Sequence, residues 1–77
     1  MSSIDRLKPG QTAALLSIGG ERSFRRRLME LGLLPGTPVR LVRRVAVGDL
    51  IELEVRGCHV SLRLAEAARL AVELPNG

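Results

Sequence analysis

Seventy-seven residues with a net charge of +4 make one small domain with a modest core. Cys58 is the single cysteine, which excludes an internal disulfide framework, and no apolar run approaches the roughly 20 residues of a membrane helix. Phe24 is the single aromatic residue, which removes the exposed rings on which single-stranded nucleic-acid binders stack bases.

The opening Met-Ser-Ser-Ile-Asp-Arg has no apolar signal core, so a soluble cytoplasmic protein is expected. Leu7-Lys8-Pro9-Gly10 is a turn, and the alternating stretch 13–18 behind it predicts a strand with one face buried, ended by Gly19-Gly20. Ser23 is then placed to cap a short helix. Phe24, Leu28 and Leu31, at i, i+4 and i+7, form its inward stripe. Arg25, Arg26 and Glu30 fall away from that stripe, and Arg27 flanks it. Gly32 suits the left-handed position past the helix end, with Leu33 folding back on Leu28. Pro35 and Gly36 suit the centre of a type II turn.

A strand follows through Val39 and Leu41, and its alternation breaks at 42–45, which predicts a bulge. Residues 50–64 carry the strongest β pattern. A two-residue turn at Arg56-Gly57 would pair Val55 with Cys58, Leu53 with Val60 and Ile51 with Leu62, all on one face. The other face would pair Glu54 with His59 and set Glu52 diagonal to Arg63. Residues 64–70 suit one or two helical turns, 71–74 read as a last strand, and Pro75-Asn76-Gly77 close the chain. The expectation is a mainly β protein. It is a small five-stranded barrel with a short helix after the first strand and a helical turn before the last. Residues 1–77 form one domain, with an ordered core of about 4–74.

Several blocks together resemble the FeoA family, the small cytoplasmic component of bacterial ferrous iron uptake. They are Leu7-Lys8-Pro9-Gly10; Arg27-Leu28-Met29-Glu30-Leu31-Gly32-Leu33-Leu34-Pro35-Gly36; Gly48-Asp49; Arg56-Gly57; and Leu62-Arg63 with Ala67. The second block is the specific one. Two departures stand out: the loop 45–50 lacks the prolines common there, and Cys58 stands where an aromatic is common. The resemblance implies an SH3-like barrel and an accessory role beside a large membrane permease for ferrous iron, whose cytosolic part is a GTP-binding domain. The same barrel also occurs as the C-terminal domain of iron-dependent repressors, so fold alone leaves function open.

Catalysis and metal binding find little support in the residues. Cys58 and His59 are adjacent, so on a strand they point to opposite faces. Cys58 is expected in the core and His59 beside Glu54. No nucleophile has a base and an orienting group in reach, and Gly19-Gly20 lacks the Lys-Ser/Thr of a phosphate loop. A non-enzyme is expected, with no cofactor evident and direct iron binding unsupported. Arg25, Arg26 and Met29 are candidates for a partner contact, since Met and Arg are enriched at interface centres; an ordinary solvated basic face is the alternative. Arg43, Arg44, Val47 and Asp49 form a second candidate, against a valine folded back onto the barrel. Phe24, Leu28, Leu31, Gly32, Leu33, Pro35, Gly36 and Gly57 are assigned structural roles. The leading reading is an accessory module docking on the permease, without membrane insertion. The alternatives are a nucleic-acid-binding barrel, disfavoured by the missing aromatics, and a repressor-type domain making protein contacts.

Overall fold

The computed structural model describes residues 2–73; the predicted strand end at Leu74 and the closing residues 75–77 lie outside them. The elements are β1 (Ser2–Ser3), a 3-10 turn (Ile4–Arg6), β2 (Thr12–Ile18), α1 (Arg22–Glu30), β3 (Pro38–Val45), β4 (Leu50–Val55), β5 (Cys58–Arg63), α2 (Leu64–Ala67) and β6 (Leu70–Glu73). The strands form one antiparallel sheet in the order β1-β6-β2-β3-β4-β5. Six strands replace the expected five. The extra one, β1, pairs Ser2 with Val72 and Ser3 with Ala71, and two serines are too short a run to show alternation. Among the described residues no ladder joins β1 to β5, so the barrel is not sealed by hydrogen bonds. The brevity of β1 itself blunts that edge.

Both Leu-x-Pro-Gly segments fold as the same turn. Gly10 and Gly36 take φ of 90° and 88°, and the N–H groups of Gln11 and Thr37 donate to the carbonyls of Lys8 and Leu34 at 2.9 and 3.0 Å. The β4–β5 hairpin has the expected register throughout, from Ile51–Leu62 to Val55–Cys58. Its tip is a two-residue turn with Arg56 and Gly57 both at positive φ, 53° and 80°, the backbone that matches the twist of the flanking strands. The predicted bulge lies at Val42, where the pairing steps from Leu41–Leu53 to Arg43–Glu52. A second bulge sits at Leu16, between Leu15–Val72 and Ser17–Ala71. It resets the alternation, so that Leu16 and Ser17 are both exposed and Ile18 packs against the core.

The core gathers the inward residues of the sheet with Phe24, Leu28 and Leu33 from α1 and its exit. Burying each such Leu stabilises the fold by about 1.5–3 kcal/mol. Three expectations about burial and capping are corrected. The helix starts before Ser23: left-handed Gly20, φ 96°, turns the chain sooner, and Glu21 holds the cap position without a side-chain hydrogen bond. Leu31 is 49% exposed, because it ends the helix and the chain then swings Leu33 inward in its place. Cys58 is exposed. It opens the edge strand directly after the Arg56-Gly57 tip, whereas Val60 and Leu62 farther along the same strand are buried.

Candidate functional site

Local rules fix the pose of α1. At its C-terminus the N–H of Leu33 donates to Leu28 O at 3.0 Å and that of Gly32 to Met29 O at 3.0 Å, with Gly32 at φ 99°. This is the Schellman ending, and it returns Leu33 to the core beside Leu28. The Pro35-Gly36 turn is then fastened to the sheet, since Gly36 N–H donates to Leu15 O at 2.6 Å. With Phe24 and Leu28 buried, the opposite face must point to solvent. It presents Arg22, Arg25, Arg26, Met29 and Glu30 around a shallow depression of about 430 Å³. Met29, the one apolar residue of that lining, is 38% exposed.

The flank of the helix is held separately. Arg27 Nη2 lies 3.0 Å from Glu66 Oε2, which ties α1 to α2. The guanidinium carbons of Arg27 and Arg69 lie 5.7 and 5.4 Å from the Phe24 ring centroid, within the range of cation–π attraction. Sequence reasoning placed Arg27 only at the flank of the Phe24 stripe, and it missed Arg69 because that residue is distant in the chain. Glu66 also accepts a bond from the Arg63 backbone N–H at 3.0 Å. That bond and the Arg27 guanidinium hold the Glu66 carboxyl below its ordinary range, against the opposing effect of burial.

The second candidate region divides. Arg44 donates to the carbonyls of Asp5 and, at 2.9 Å, Leu7, so it straps the 3-10 turn to β3. Arg43 Nη2 pairs with Glu52 Oε1 at 3.0 Å; Glu52 faces it because the Val42 bulge sets the register, and β5 offers Glu52 only Ser61. Val47 does not fold back on the barrel: it is 86% exposed at the loop tip. Asp49 has φ 51° and its carbonyl receives Leu64 N–H at 2.8 Å. The structure therefore brings Arg25, Arg26 and Met29 into one face and leaves Val47 remote from Arg44's contacts.

His59 stands across from Glu54 as expected, with Nε2 3.4 Å from Oε2. Arg40 lies closer, 2.8 Å from Glu54 Oε1, and its hydrogen bond is the main cause of the lowered Glu54 pKa. Among the described residues, no three His, Cys, Asp or Glu side chains converge into a group that could hold a metal ion. No helix among them is long and apolar enough to cross a membrane.

The profile of the FeoA domain matches residues 3–74. The chain belongs to the FeoA family. Over 71 residues, 92% of this chain, it is 30% identical to a Fe(2+) transport protein A/Fe(2+) transporter FeoB fusion protein of Porphyromonas gingivalis, of whose length it spans 8%. The solution structure of FeoA from Chlorobium tepidum superimposes with a TM-score of 0.87 at 35% identity, covering 94% of this chain and 69% of that one. FeoA from Stenotrophomonas maltophilia, solved in complex with zinc and described as an SH3 domain protein, gives a TM-score of 0.81 at 28% identity, covering 95% and 91%. The mainly β, SH3-like architecture of the FeoA family is thus the architecture of this chain.

Proposed function

We propose that this FeoA-family chain is a non-enzymatic accessory module of ferrous iron uptake. It works in the cytoplasm, docks on the cytosolic GTP-binding part of the ferrous iron permease, and regulates transport. Iron is the cargo of that permease in this reading, and this chain acts through protein contact. One observation carries it: the Porphyromonas gingivalis relative joins a transport protein A to the transporter FeoB in one polypeptide. A covalent tether holds two parts at an effective concentration of about millimolar, and such fusion favours parts that function in contact. The outer face of α1 is the docking surface favoured by composition, since Met29 and three arginines line it.

The test is affinity capture of the permease's cytosolic part by the tagged chain at low and moderate salt. Capture in wild type, weakened by Met29→Asp, is the expected result. Absence of capture at low salt overturns the reading.

A further inference from the structure

Two groups of arginines differ in how they are held. Arg27, Arg40 and Arg43 each pair with a glutamate, and Arg44 is bonded to backbone carbonyls. Arg22, Arg25 and Arg26 form no ion pair among the described residues, and all three border the depression on α1. Glu21 and Glu30 stand four residues from Arg25 and Arg26, yet neither closes a pair with them.

This arrangement works against the helix that carries it. Arg22 and Arg26 are like charges at i, i+4, an unfavourable spacing. Arg22 opens the helix, whose first turn holds no acidic residue, so its charge meets the positive end of the helix dipole. Local conflicts of this kind are expected where function requires them.

Three occupants could answer three cations around a methionine. A lipid surface or a nucleic-acid backbone would meet these arginines through its phosphates, and Glu30 in the same wall opposes both. Nucleic acid would also find no exposed aromatic, since Phe24 is 8% exposed. A folded peptide segment can present carboxylates to the arginines, an apolar side chain to Met29, and a neutral or basic group to Glu30.

We propose that the outer face of α1 receives an acidic amphipathic helix of its protein partner. Carboxylates of that helix meet Arg22, Arg25 and Arg26, and one large aliphatic side chain sits over Met29. The location of that helix on the permease rests on the function proposed above; its chemistry rests on this face alone.

The experiment titrates the permease's cytosolic part into isotopically labelled chain, following amide shifts and affinity at several salt concentrations. Wild type should show shifts concentrated in residues 22–30 and affinity that falls with salt. The double variant Arg25→Glu/Arg26→Glu should bind about tenfold or more weakly. Its amide spectrum outside residues 22–30 should match wild type, which shows that the variant folds. Binding that survives the double variant, or shifts that avoid 22–30, overturns the acidic-helix proposal and leaves docking intact. Absence of any wild-type binding overturns both. Vesicles containing phosphatidylglycerol and a single-stranded oligonucleotide serve as further probes. Either one shifting residues 22–30 as strongly as the protein does would overturn a protein occupant.

Discussion

Gly32 is the residue on which the pose of α1 turns. Its φ of 99° lies where side chains other than glycine's are strained, and a Cβ there would meet nothing within 4 Å. The cost of Gly32→Ala is therefore conformational alone, about 1–2 kcal/mol for placing an L-residue in the left-handed region. Gly32→Val should cost at least as much, since branching at Cβ adds strain. Chemical denaturation of both variants measures this, and a neutral Gly32→Ala would remove the glycine stop from the account of α1. Leu28 sets the upper scale: fully buried, its replacement by Ala should cost about 2–5 kcal/mol through lost burial and a residual cavity. Leu31→Ala, at the exposed helix end, should cost far less than Leu28→Ala.

At the scale of elements, the two helices are joined through one carboxylate. Glu66 receives the Arg63 backbone N–H and the Arg27 guanidinium, and its folded pKa is lowered. A carboxyl lowered on folding contributes stability that is fully present above its unfolded value, about 4.3, and lost as pH falls through the folded value. The denaturant midpoint should accordingly hold from neutral pH down to about 5 and fall below about 4. In Glu66→Gln that acid limb should be shallower; an unchanged limb would assign acid sensitivity to other groups. The first turn of α1 offers the opposite expectation. Arg22→Glu places an anion at the helix N-terminus opposite Arg26 at i, i+4, and should raise stability by about 0.3–1 kcal/mol.

These elements also show what was legible beforehand. The hairpin register, the Gly32 ending, both Pro-Gly turns and the Val42 bulge follow from spacing, because each depends on a few neighbouring residues. The outward placement of Arg25, Arg26 and Met29 followed from the same helical period. The errors share another cause. Cys58 alternates correctly with the buried Val60 and Leu62 yet is exposed, since it sits beside the hairpin tip at the start of an edge strand, and alternation does not show where along a strand the cover of the core ends. Strand β1 and the Phe24–Arg69 contact join residues far apart in the chain, so no local pattern announces them. The roles of Arg43 and Arg44 likewise depend on which carboxylate or carbonyl the register brings opposite.

For the whole molecule, the sheet carries the ion pairs Arg40–Glu54 and Arg43–Glu52, while the outer face of α1 groups Arg22, Arg25 and Arg26, which form no ion pair among the described residues. A change of salt should then alter partner binding more than folding, because surface pairs contribute little to stability. Comparing the salt dependence of the denaturation midpoint with that of permease capture checks this. A midpoint as salt-sensitive as capture would mean that the surface pairs matter to the fold.

The short ladder between β1 and β6 has a topological consequence. Neighbouring strands lie about 4.8 Å apart, so residues 2 and 72 are spatial neighbours, and a brief glycine-serine bridge could join β6 to β1. Cutting the chain instead at the exposed Val47 would yield a circular permutant with every strand contact preserved. It should fold with the same amide spectrum outside the new ends; a collapsed spectrum would show that the β3–β4 loop must be continuous for folding. A fold whose first and last described strands pair in this way is suited to insertion within another protein's loop. Its host can thus acquire the module without rerouting either chain.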